Sequence, residues 1–225
     1  LIKLNVCLTL CPQFDLHMEY NPKQLLILES AEKLFASHGF HATSVRDIAH
    51  EAGVNIAMIS YYFGSKEKLI ESIFLKRIIN WKAILNETLK DNSKTYIERL
   101  DSLIENFVRR IIGNPCFNLM MMRAQIQADM LVNDLIHESK KEVYEVIGAF
   151  INAGQEQGVF NKEVDVLMMV ATLTGTTNHI MSTRHHFQRM SNLEHLTDSE
   201  LQEYLIIHTS NHLKNLFKAI LIHEA

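Results

Sequence analysis

The chain has 225 residues, 47% apolar and 21% charged, with only 8 Gly and 3 Pro. That composition supplies a sizeable core, excludes disordered and collagen-like chains, and points to long helices with few turns. The formal net charge of −4 leaves no overall basic bias, so any nucleic-acid binding has to rest on a local surface. No apolar run reaches the roughly 18 residues of a membrane span, so no membrane partner is expected. Three cysteines, Cys7, Cys11 and Cys116, are too few for a disulfide framework in a chain of this length, and a reducing cytoplasm is the expected location.

Residues 1–17 (LIKLNVCLTLCPQFDLH) lack an initiator Met and the pattern of a secretory signal. They are expected to be appended or translated upstream sequence, with the natural chain starting at Met18. Cys7 and Cys11 have no second pair at metal-finger spacing, so no metal is expected there. From Asn21 the periodicity becomes helical. Ile27, Ala31, Leu34 and Phe35 share one face, and Gly39 provides a stop. Ser44 and Asp47 have capping-box spacing and open a short helix with Val45, Ile48, Ala49 and Ala52 inward. Gly53 ends that helix, Asn55 caps a third with Ile59 and Phe63 inward, and Ser65 caps a fourth. Three short helices with a Gly-centred turn between the second and third form a helix-turn-helix, whose last helix fits a DNA major groove. Neutral Ser and Asn caps leave helix N-termini open to phosphates.

The same stretch resembles the TetR family of bacterial transcriptional regulators. The resemblance rests on Ala31, Leu34, Phe35, Gly39 and Phe40, on TSVRDIAHEAGV from Thr43 to Val54, and on ISYYFGSKEKL from Ile59 to Leu69. It implies that Thr43, Ser44 and Arg46 touch phosphates or, for Arg46, a base. It further implies that Asn55, Ile56, Ala57 and Ser60 form the outward side of the recognition helix. Tyr61 and Tyr62 would meet the DNA backbone, and Lys66 would anchor a phosphate. Asn55, Ile56, Met58 and Ser60 depart from the residues usual in the family, leaving few charged donors. Asn55 could read adenine bidentately and Ile56 or Ala57 touch a thymine methyl. The basic residues between Met18 and Asn80 are matched one for one by acidic residues, so affinity needs an asymmetric charge distribution and falls with salt.

Beyond Lys66 the periodicity predicts helices near 66–89, 94–112, 116–131, 133–157, 164–188 and 198–222. Breaks are expected at Gly113-Asn114-Pro115 and Gly158–Lys162. The expected fold is all-α: a leader (1–17), a helix-turn-helix domain (18–65) and a helical regulatory and dimerisation domain (66–225). Candidate effector-lining residues are Trp81, Phe107, Phe117, Met121, Met122, Ile126, Met130 and Met168, with Arg123 and Gln127 able to orient a polar group. Arg123 could equally form an ion pair with Asp129 or Glu138. Thr172, Gly175, His179 and Ser182 form a small or polar stripe, and Leu205, Thr209, Leu213, Leu216 and Ile220 an apolar one. Two such helices from each chain would make a four-helix homodimer interface. Twin recognition helices about 34–36 Å apart would then read a palindrome. His208 and His212 at i, i+4 lack further ligands, so no metal or cofactor is expected.

The expected function is a DNA-binding regulator, a repressor released from its operator by an unknown small-molecule effector. The alternatives are a protein-interaction module with a vestigial helix-turn-helix and an enzyme on a helical bundle. No nucleophile–base pair, carboxylate pair or phosphate loop stands out to favour the enzyme.

Overall fold

A computed structural model of the chain describes residues 20–127, 130–161 and 163–222, the side chains at 127, 130 and 131 excepted. The leader expectation lies outside these residues, as do the side chains of Gln127 and Met130 among the candidate effector contacts. Ten α-helices and no strand occur among the described residues. In chain order they are α1 Pro22–His38, α2 Val45–Glu51, α3 Ile56–Phe63, α4 Lys66–Lys90 and α5 Tyr96–Gly113. There follow α6 Pro115–Gln127, α7 Met130–Glu156, α8 Val166–Ser182, α9 Arg184–Met190 and α10 Asp198–Leu221.

Their starts follow from local chemistry. Asn21, Ser44, Thr95 and Thr197 each make a capping box with the residue three positions on, satisfying two backbone donors at once. Gly53, at φ 61°, takes the left-handed conformation that the turn between α2 and α3 requires.

Two apolar clusters hold the molecule together. One joins Ile27, Phe35, Ile48, Ile59, Phe63 and Phe74 from α1–α4 with Phe117 and Met120 of α6 and Ile136 of α7. The other is built on α5, whose Leu100, Leu103, Ile104, Phe107, Val108 and Ile111 form an unbroken stripe against α4, α7, α8 and α10. Half-buried or exposed ion pairs fix α5 antiparallel to α10: Asp101–Lys218, Glu105–Lys214 and Arg109–Glu203. Each stabilises by at most about 1 kcal/mol, so they set register more than stability.

Two expectations are corrected. The helix expected over 164–188 is divided at Thr183 into α8 and α9. Leu205, Thr209 and Leu213 are at most 3% exposed and pack within their own chain, which bars them from a partner, and Leu216 is half-buried against the same cluster. By contrast, Gly175 and His179 on α8 are exposed and Thr172 is half-buried.

Candidate nucleic-acid interface

The second and third helices project from the first cluster, and their outward residues make one polar and aromatic surface. Ile59 and Phe63 are buried, so the eight residues of α3 are pinned by one face and present the other. On that other face Asn55, Ala57 and Ser60 are exposed, Ile56 is 43% exposed and Tyr61 is 82% exposed. Tyr61 leans edge-on against Tyr62 at 5.1 Å between centroids, and half-buried Tyr62 leans on Phe63. An exposed aromatic ring held by a second ring is a rigid contact that costs little entropy to immobilise on a partner. Arg46, at the second position of α2, is exposed and has no ion-pair partner among the described residues.

Three sequence expectations change at this surface. Thr43 is only 2% exposed, and its hydroxyl donates to the Gly39 carbonyl at 2.8 Å and to Leu34 at 3.3 Å. It closes the end of α1 and does not face a phosphate. Lys66 is half-buried; its Nζ donates to the carbonyls of Phe40 and Thr43, each at 3.0 Å, and lies 4.3 Å from the centre of the Phe40 ring. This ammonium staples α4 to the α1–α2 loop and retains one donor of its three. Finally, the Asn55 Oδ1 accepts from the Ala57 amide at 2.9 Å, so a bidentate contact to adenine would have to break the cap of α3.

Electrostatics separate the helix starts. Asp47 sits in the first turn of α2 and accepts from the Ser44 amide at 2.8 Å and the Ser44 hydroxyl at 2.6 Å. Those hydrogen bonds hold its carboxyl below the usual carboxylate range, so the α2 start carries a negative charge that opposes a phosphate. Glu67 does the same at α4. The first turn of α3 has no acidic residue, which leaves its positive dipole end uncancelled.

Behind this surface, the expected effector residues separate. Trp81, Phe107 and Phe117 are buried core; Ile126 (80% exposed) and Met168 (60%) face outward. Met121 and Met122 are half-buried. A cavity of about 290 Å³ lies between α5, α6, α8, α9 and α10, and of those candidates only Met122 lines it. Its other walls include Ile112, Leu119, Met181, Arg184 and Gln202, which the sequence reading missed because no single helix periodicity marks a space shared by five helices. Asp129, one of the two ion-pair partners expected for Arg123, lies outside the described residues, and no pair with Glu138 is made among them. The Arg123 Nη1 donates to the Ala36 carbonyl at 2.6 Å and to Phe35 at 3.4 Å, so α6 supplies the cation that closes the end of α1. Arg77 of α4 makes a two-pronged pair with Glu32 of α1 and also donates to Asn114 at the α5–α6 junction.

Comparison with known proteins agrees with this arrangement. The family model for bacterial regulatory proteins of the tetR family matches residues 27–73, and the tetracyclin repressor-like C-terminal domain matches residues 97–209, half of the chain. The chain belongs to the TetR family. It is therefore a DNA-binding transcriptional regulator, all-α, with an N-terminal helix-turn-helix and a C-terminal helical domain. Among curated TetR-family relatives, the fatty acid metabolism regulator protein of Bacillus subtilis is 24% identical over 162 residues, covering 72% of this chain and 83% of that protein. The HTH-type transcriptional repressor KstR2 of Mycobacterium tuberculosis is 26% identical over 163 residues, covering 71% and 80%. The solved structure of FadR from Bacillus subtilis in complex with stearoyl-CoA superposes with a TM-score of 0.65 at 22% identity. That match covers 85% of this chain and 96% of FadR, and shows a shared fold.

Proposed function

We propose that the protein is a homodimeric repressor of the cytoplasm whose operator is read by Arg46, Asn55, Ile56, Ala57, Ser60 and Tyr61, and which a small amphipathic effector releases. The observation that carries the DNA contact is the outward face of α3: exposed, aromatic at Tyr61, and served by the one of the three helix starts from α2 to α4 that has no carboxylate. Ser44 contributes through its exposed position, while Thr43 and Lys66 hold the frame.

A dimer is supported by what α8 and α10 leave uncovered. These two helices pack side by side, and Leu167 (59%), Met168 (60%), Ile207 (51%) and Ile220 (43%) are exposed alongside Gly175 and His179. Apolar groups displayed this way on neighbouring helices are what a second copy would bury. On α10 the exposed Ile207 and Asn211 share one side and are the residues proposed to face a partner, in place of the inward stripe at Leu205, Thr209 and Leu213.

Release follows from the contacts of α1. It is held by Arg123 from α6 and by Arg77 from α4, and α6 also forms a wall of the cavity. A ligand that favours a displaced α6 shifts α1–α3 with it, within the limit of the ligand's differential affinity for the two arrangements. The similarity to a regulator solved with stearoyl-CoA supports an effector with an acyl-like apolar body. Selection of genomic fragments by the purified protein tests this reading. It predicts a palindromic consensus whose retention is lost when an acyl-CoA mixture is added. Recovery of no enriched sequence at low salt would reject it.

A further inference from the structure

The helix that a helix-turn-helix lays in the major groove carries no charge in this protein. None of the eight residues from Ile56 to Phe63 is acidic or basic. Side chains near the N-terminus of such a helix reach base edges, and here those positions are held by Ile56 and Ala57, both exposed. A β-branched isoleucine is stiff about its first side-chain bond, so Ile56 is a preformed apolar knob at the leading end of α3.

The polar routes to sequence are narrow on this face. Two-pronged recognition of guanine takes Arg or Lys, and α3 has neither. Two-pronged recognition of adenine takes both ends of an Asn or Gln amide. The Oδ1 of Asn55 is committed to the Ala57 amide at 2.9 Å, and its Nδ2 alone finds acceptors on adenine, guanine and thymine alike. The hydroxyls of Ser60 and Tyr61 both donate and accept, so they discriminate poorly between bases. Arg46 is exposed on α2, the helix that crosses the DNA backbone in such a motif, where it meets phosphates. What remains for an aliphatic side chain to recognise is the apolar group on the major-groove edge of a base pair, the C5 methyl of thymine.

We infer that α3 reads thymine methyl groups, with Ile56 as the residue that sets specificity and Ala57 beside it. Each half-site is then marked by thymines and has no guanine determinant under the start of α3. The inference rests on the operator-reading surface proposed above and names the chemistry by which that surface tells one sequence from another. Because the methyl is read rather than the whole base, 5-methylcytosine, which holds a methyl at the same place in the groove, should replace thymine better than cytosine does.

The full-length protein is used to select an operator, and each thymine of that duplex is then replaced singly by deoxyuridine, which removes the methyl and keeps the pairing. Affinity should fall about three- to five-fold at thymines inside each half-site, the effect of withdrawing one methyl from apolar contact. Thymines between the half-sites should tolerate the change. At the sensitive positions affinity should run in the order thymine, 5-methylcytosine, cytosine. Ile56→Ala, with its Tm measured alongside, should bind the thymine and deoxyuridine duplexes nearly alike, and Ile56→Val should keep most of the difference. If Ile56→Ala retains no measurable binding, Ile56→Val takes its place in the comparison.

The inference is overturned if deoxyuridine is tolerated at every thymine, if cytosine binds as well as 5-methylcytosine, or if the Ile56 variant shows the same deoxyuridine penalty as the wild type. A wild-type protein that selects no DNA at low salt defeats the regulatory reading and this inference with it. An operator bound tightly, with no response to methyl removal, defeats this inference alone.

Discussion

Thr43 and Lys66 stand within the stretch that carries the family resemblance, yet both side chains turn toward the α1–α2 loop. Each should therefore act on stability before it acts on DNA. Thr43→Val is expected to lower stability by about 1 kcal/mol, and Lys66→Met by roughly 1–3 kcal/mol, through carbonyls left unsatisfied. Thermal unfolding without DNA measures both. Arg46→Ala should show the opposite profile: unfolding unchanged within about 0.5 kcal/mol, but a salt dependence of DNA binding shallower by about one per half-site. A shared spacing identified these positions; the direction of each side chain was not in the spacing. Arg123 shows the same limit, since its partners are carbonyls 87 and 88 residues away.

At the scale of elements, sequence legibility followed the strength of local signals. The caps at Ser44, Asn55 and Ser65 fall where the residue types place them, because a cap is settled within four residues. The break at Thr183 has no Gly or Pro to announce it, and the Thr183 hydroxyl bonds back to the His179 carbonyl. On α10 two stripes compete for the inward side, and only packing against α5 decided for Leu201, Leu205 and Leu213. The recognition helix is too short to persist alone and depends on its anchors. Ile59→Ala, at 1% exposure, should cost about 2–5 kcal/mol and abolish DNA binding together with the fold of α2–α3, read by unfolding and hydrogen exchange.

The α2 capping box also makes a pH prediction. The Asp47 carboxyl is lowered by its hydrogen bonds to Ser44, so its contribution is fully present above the unfolded value of about 3.9 and is lost as pH falls through the lower folded value. Asp47→Asn should flatten the acid side of the stability profile while leaving the neutral-to-alkaline side parallel to that of the wild type. An acid limb identical to the wild type would show that the cap does not titrate with folding.

For the whole molecule, the halves are joined by the apolar cluster that packs α1–α4 on Phe117, Met120 and Ile136, and the polar contacts across that junction are Arg123 on the end of α1 and Arg77 between Glu32 and Asn114. Arg123→Ala should leave operator affinity nearly intact but reduce the change that the effector produces, measured as the ratio of DNA affinities with and without ligand. The proposed dimer makes a separate demand. Ile207→Glu on the exposed side of α10 should shift sedimentation toward the monomer and weaken operator binding by far more than its local effect on folding. Such long-range features were the least legible, because they join residues that no local periodicity relates.

The account stands on the exposed surface of α2 and α3 being pressed, in two copies, against successive grooves of one DNA duplex. Footprinting of a selected operator with the wild type and with an Arg46→Ala, Tyr61→Ala double variant tests it most directly. Two protected half-sites one helical turn apart, about 34–36 Å, should appear with the wild type and vanish with a double variant of unchanged Tm. An undiminished footprint in that variant, or no protection by the wild type at low salt, would contradict it.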